Sequence, residues 1–188
     1  MFCLHFDYDG NISNEKLVMA MNSRLPDDIG AVFCRDVADD FHARYSCVGK
    51  NYIYKIYNSD KRDPFKNKYY LQINRKIDEN VLNEAAKAFI GTHDFVGFCS
   101  SGSSVKTTVR TVTECSVKRD GDDIIFSITA DGFLYNMVRI IVGTLLDVAN
   151  SKIDKNDILE IINSKDRSRA GVTVKPHGLY LNKVFYDF

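Results

Sequence analysis

The 188-residue sequence lacks the short motifs that mark most hydrolases and nucleotide-dependent enzymes. It has no Gly-x-Ser-x-Gly elbow, no His-Glu-x-x-His pair and no Gly-x-x-x-x-Gly-Lys-Ser/Thr loop. Its four histidines, His5, His42, His93 and His177, stand far apart in the chain, which argues against a histidine-based hydrolase. Net charge is lacking too: 25 Lys+Arg balance 25 Asp+Glu, so a polyanion would have to be held by a local patch. Cys3, Cys34, Cys47, Cys99 and Cys115 include no Cys-x-x-Cys pair and no cluster with zinc-ligand spacing, and they read as reduced thiols. Neither a signal peptide nor an apolar run of about 18 residues is present, which points away from a membrane and toward the cytoplasm.

What the chain has is a 45% hydrophobic content, ample for a core, arranged in alternating elements. Phe2 to Asp7 alternates like a strand, Ser13-Asn14-Glu15 opens a helix with Leu17, Val18, Ala20 and Met21 on one face, and Ile29 to Val37 reads as a second strand. Asn51 to Asn58 alternates with strand period. Asp78 is a plausible cap for a helix over Glu79 to Ile90, which Gly91 would end. Strands over Val109 to Arg119 and Asp123 to Ala130 flank Asp120-Gly121-Asp122, a hairpin signal. Helices over Phe133 to Ala149 and Lys155 to Ser164, the second capped by Asp154, precede a basic loop, Arg167 to His177, and a last strand, Leu179 to Tyr186. Interleaved helices with hairpins predict an α+β fold on a mainly antiparallel sheet flanked by helices.

Two features carry chemistry. Arg139 lies in a helix that is otherwise almost wholly apolar, and Tyr135, Val138, Ile140 and Val142 around it offer no carboxylate. A buried guanidinium without a partner costs several kcal/mol, so Arg139 must reach Asp131 or Asp147, extend to solvent, or meet an acid from outside this chain. The second feature is a set of loop cations, among them Arg44, Lys50, Arg110, Arg167 and Arg169, interleaved with Phe41, Tyr45, Tyr52 and Tyr54. Cations for phosphates beside aromatic faces for splayed bases suit the recognition of RNA loops, although charged loops are more often simply solvated.

Five ordered blocks resemble the TruA family of tRNA pseudouridine synthases. They are Leu25-Pro26-Asp27-Asp28-Ile29, Asp39-Asp40-Phe41-His42-Ala43-Arg44-Tyr45-Ser46 and Lys50-Asn51-Tyr52-Ile53-Tyr54, then Gly132-Phe133-Leu134-Tyr135-Asn136-Met137-Val138-Arg139 with Gly143, then Lys165 to Gly171 leading to Pro176-His177-Gly178-Leu179-Tyr180-Leu181. The resemblance implies a pseudouridine synthase fold of two ferredoxin-like halves, here 1–42 as a remnant of the first and 43–188 as the second. It implies isomerisation of uridine in the anticodon stem-loop of tRNA by a homodimer, with no cofactor or metal. Asn136 departs from the pattern, standing where a histidine is common, as does Val174-Lys175 in place of Ala-Pro.

By that resemblance Arg139 pairs with the nucleophilic aspartate, and Tyr52 stacks on the target base and is a candidate for proton transfer. Leu179 packs on the base's other side, and Phe41, His42 and Arg44, with Arg110 and Arg167, face the RNA. The family's Gly-Arg-Thr-Asp-Ala-Gly-Val-His motif is absent. The expectation is therefore a fragment without its nucleophile, preceded in the natural protein by roughly eighty residues. Two other readings remain: a noncatalytic RNA-binding or assembly module of the same architecture, and, more remotely, a small-molecule sensor.

Overall fold

The computed structural model describes residues 2–102 and 105–187. By contacts the chain divides into two units, Cys3–Cys47 and Met1–Phe2 with Val48–Phe188.

In the first unit a single helix, α1 (Asn14–Asn22), is capped by Ser13, whose hydroxyl accepts from Lys16 N. None of its residues is buried. The strands expected over Phe2 to Asp7 and Ile29 to Val37 are not formed. The alternation is there, but a strand is completed only by a neighbour's hydrogen bonds, and neither segment has a paired strand among the described residues.

In the second unit six strands form one sheet: β1 (Cys47–Tyr57), β2 (Leu71–Gln72), β3 (Gly91–Asp94), β4 (Val109–Asp120), β5 (Asp123–Ala130) and β6 (Leu179–Tyr186). Its order is β2-β1-β5-β4-β3, and β6 also pairs with β1. The β1–β5, β5–β4 and β4–β3 ladders are antiparallel and β1–β2 is parallel, so the class is α+β with a mostly antiparallel sheet, as the sequence predicts. Register places Tyr52 opposite Ile128 and Tyr54 opposite Phe126. Along β5 every second residue is buried, which sends Ile124, Phe126, Ile128 and Ala130 to one face.

That face packs beneath α2 (Glu79–Ala86), α3 (Met137–Ala149) and α4 (Ile158–Ser164), with Leu82, Ile141, Leu145 and Ile162 in the shared core. Asp78 caps α2 as predicted, but the last turn tightens into a 3-10 turn over Lys87–Phe89 before Gly91, at φ 116. Gly121, at φ 56, turns the β4–β5 hairpin where the sequence places it. α3 begins four residues later than predicted, because Asn136 adopts a left-handed φ of 61 that a helix does not continue through.

Asn58 and Arg119 fasten the start of α2 to the end of β1. Asn58 Nδ2 donates to the carbonyls of Ile73 and Arg75, its Oδ1 accepts from Ile77 N, and Arg119 pairs with Glu79 at 2.7 Å. A second join brings residues 171–174 hard against α3. A Cβ on Gly143 would stand 1.8 Å from the Val172 carbonyl oxygen, and Thr144 Oγ accepts from Gly171 N at 2.8 Å. Gly143→Ala must therefore displace backbone and should lower unfolding free energy by about 2–3 kcal/mol in urea titrations, whereas Gly30→Ala, which meets open space, should change it by less than about 0.5 kcal/mol.

Candidate active site

Arg139 lies in the first turn of α3 and is half-buried. Its Nε donates to the Val174 carbonyl at 2.7 Å and its Nη1 donates to Asn136 Oδ1 at 2.7 Å. Val174 N in turn donates to the Arg139 carbonyl at 3.5 Å, so helix and strap are tied in both directions. Neither carboxylate considered from the sequence is its partner: Asp147 pairs with Lys152, and Asp131 Oδ1 accepts from Thr111 N. Among the described residues no acid lies within ion-pair distance of Arg139, and Nη2 has no hydrogen-bond acceptor. Two neutral acceptors hold the guanidinium, and no acid among the described residues meets its charge.

The strap that supplies Val174 is itself fastened. Arg167 Nη1 donates to the Ala170 and Gly171 carbonyls and its Nη2 to Thr173 Oγ. Tyr54, with no exposed surface, donates its hydroxyl to the Lys175 carbonyl at 2.6 Å. Burial pushes the Tyr54 hydroxyl well above the usual tyrosine range, and the Arg139 charge opposes that rise. The same ring presses on Gly178, where a Cβ would stand 2.9 Å from it, and the next residue, Leu179, opens β6 packed on the core.

Tyr52 sits two residues before Tyr54 on the same face of β1 and meets Phe133 edge-on, ring centroids 5.1 Å apart. Phe133 leads through the turn to Asn136, whose Oδ1 accepts from Arg139. Arg139, Tyr52 and Leu179, named from the sequence, are thus joined partly by contacts, Arg139 to Val174 and Asn136, Tyr54 to Lys175 and Tyr52 to Phe133, and partly by neighbouring positions in the chain. Tyr54, Val174, Asn136 and Phe133 were not assigned to the site beforehand. Asn136 could have been found from its spacing, since i, i+3 neighbours share a helical face, and Tyr54 from its period-2 relation to Tyr52. A backbone carbonyl such as that of Val174 leaves no trace in a sequence.

The remaining candidates fall elsewhere. Arg110 lies beside Gly132, 3.2 Å from where a Cβ would be, with Nη1 on the carbonyls of Thr107 and Val109. Arg167 is half-buried and engaged within its own loop. Phe41, His42 and Arg44 belong to the first unit. There His42 Nδ1 accepts from Arg44 N, its ring lies 4.5 Å from that of His5, and the exposed Arg44 guanidinium covers Tyr45 at 5.6 Å. Among the described residues no group of His, Cys, Asp or Glu could hold a metal ion, and no helix is long and apolar enough to cross a membrane.

A mostly antiparallel six-stranded sheet flanked by helices is consistent with the pseudouridine synthase fold, and comparison with known proteins gives the family. The sequence pattern of tRNA pseudouridine synthases matches residues 85–187. The chain is 42% identical to a tRNA pseudouridine synthase A of Staphylococcus epidermidis over 181 residues, covering 96% of this chain and 68% of that protein. It is 43% identical to tRNA pseudouridine synthase A 2 of Clostridium perfringens over 185 residues, 98% of this chain and 76% of that one. For the tRNA pseudouridine synthase A of Clostridium botulinum the identity is 45% over 182 residues, 97% and 75%. The chain belongs to the TruA family of tRNA pseudouridine synthases, which are isomerases.

The raised Tyr54 hydroxyl makes a prediction about pH. Unfolded, Tyr54 loses its proton near its ordinary value of 10.0, but folded it does not. The native state therefore binds more protons above that pH, and stability falls as pH rises. Between pH 10 and 11 the wild type should lose about 1 kcal/mol more unfolding free energy than Tyr54→Phe, measured by urea titration at each pH. At pH 7 the same variant should be less stable by about 1 kcal/mol for the lost bond to Lys175.

Proposed function

We propose that this chain carries the arginine-bearing and base-holding part of a tRNA pseudouridine synthase that isomerises uridine in the anticodon stem-loop. The observation that carries this reading is the Arg139 charge, held in place by two neutral acceptors and met by no acid among the described residues. A guanidinium so placed can keep an incoming aspartate ionised and aligned in a low-dielectric pocket. The aspartate comes from a Gly-Arg-Thr-Asp-Ala-Gly-Val-His segment, which these 188 residues do not contain.

In the reaction the N1–C1′ bond of uridine breaks, the uracil turns, and C5 bonds to C1′. The proton lost from C5 is balanced by one gained at N1, so product and substrate are isomers and no electrons are exchanged. The aspartate acts as nucleophile. Tyr52 stacks on the extruded base and offers its hydroxyl for the proton transfer, and Leu179 forms the opposite wall. Phe41, His42, Arg44 and Arg110 face the RNA, with Arg44 on phosphate. Arg167 serves RNA binding by shaping its own loop, given how its donors are used.

Exposed apolar side chains such as Met19, Val32 and Phe33 support an assembled form, which we take to be a homodimer. The five free thiols suit a reducing cytoplasm.

The decisive measurement is pseudouridine formation on an anticodon stem-loop by this chain and by a version extended through the aspartate motif. The short chain should yield no product, the extended one should, and Arg139→Lys in the latter should lower kcat about 100-fold, because an ammonium lacks the guanidinium fork. Product from the short chain would overturn the reading. If instead both forms bind the stem-loop with steep salt dependence and neither reacts, the noncatalytic RNA-binding module is correct.

A further inference from the structure

Asn136 occupies the position from which an asparagine ordinarily caps a helix, yet its side chain makes no cap bond to α3. Its backbone adopts φ 61 and ψ 7, a region that asparagine tolerates better than most residues but that still stores strain. The side chain is committed elsewhere. Oδ1 accepts from Arg139 Nη1 at 2.7 Å, and Nδ2 donates to Ser100 Oγ at 3.0 Å. Ser100 is anchored in turn, its backbone N donating to the Tyr135 carbonyl at 3.0 Å. The amide has only one workable orientation, because a guanidinium offers donors alone and must face the oxygen.

We infer that Asn136 is a positioning residue for Arg139. With Nε on the Val174 carbonyl and Nη1 on Asn136, the plane of the guanidinium is fixed and Nη2 is left as the donor for an incoming carboxylate. A neutral amide suits this role on two counts. It holds the fork without cancelling the charge, as an aspartate would, and it restricts the last side-chain torsions, as an alanine would not. This inference rests on the reading of Arg139 proposed above.

Two measurements test it. In the 188-residue chain, nitrogen-15 NMR of the arginine side chains reports how firmly Arg139 Nη1 is held. Asn136→Gly keeps the left-handed backbone accessible, and it should speed rotation and proton exchange at that group about tenfold while leaving the Nε proton bonded to Val174. Unchanged Arg139 signals would overturn the inference.

In the extended protein, Asn136→Asp, nearly isosteric and equally tolerant of positive φ, should lower kcat about tenfold with KM for tRNA within about twofold. It should also move the acidic limb of kcat to higher pH. An Arg139 neutralised from within depresses the nucleophile's pKa less, so the carboxylate is protonated, and activity lost, earlier as pH falls. If Asn136→Asp alters thermal stability but leaves kcat and the acidic limb at wild-type values, Asn136 is merely structural and the inference is wrong. If the unsubstituted extended protein is inactive, it is the pairing of Arg139 with an aspartate that fails. The NMR measurement still decides the role of Asn136, including where Asn136→Asp alone folds.

Discussion

One half-buried guanidinium, gripped by a carbonyl and an amide oxygen, ties the candidate site together. Arg139 is the point where α3, the turn before it and the strap leading to β6 meet, since its bonds run to Asn136 on one side and Val174 on the other. Two of its donor groups are satisfied, and hydrogen bonds to a charged group are worth roughly 1.5–3 kcal/mol each. The bond that places Arg139 therefore also places Val174. Through Lys175 and Gly178 it helps to place Leu179 as well.

The supports beneath this junction are rigid elements rather than loops. Tyr52 and Tyr54 stand on β1, a central strand of 11 residues with a full ladder to β5. Arg139 stands on α3, most of whose residues are buried. The one irregular contributor, the strap, is fastened at Gly171, Thr173, Val174 and Lys175 by Thr144, Arg167, Arg139 and Tyr54. A wall residue such as Leu179 thus inherits the precision of the sheet although it follows a loop.

Much of this was legible in the residues before any coordinates. β4, β5, β6 and the start of α2 follow the sequence reading closely, because alternation, a Gly-containing turn and an Asp cap are local signals that the sheet does not override. β2 and β3 were missed, being two and four residues long, too short to show a period. The strands expected near Phe2 and Val32 failed for the opposite reason: their pattern is adequate, but strand formation is not local and needs a partner. For the candidate site, the resemblance named Arg139, Tyr52 and Leu179. What holds Arg139 and its strap, an amide three residues away, a carbonyl 35 residues away and a buried hydroxyl bonded to Lys175, required the fold.

The surrounding arginines sharpen the meaning of Arg139. Arg119 secures the junction of α2 and β1, and there a carboxylate, Glu79, lies 2.7 Å from its Nε. Arg169 likewise meets Glu160. Arg167 is bonded to neutral acceptors only, so neutral company does not by itself mark a functional charge. The difference lies in what each grips. Arg167 closes on carbonyls and a hydroxyl of its own loop, within six residues, and acts as a local brace. Arg139 spans 35 residues to Val174 and joins the strap that leads to Leu179 to the turn that follows Phe133. Removing a brace such as Arg167 leaves its carbonyls unpaired and costs stability alone. The two groups that hold Arg139 leave its charge intact, which is what the proposed pairing with an incoming aspartate requires.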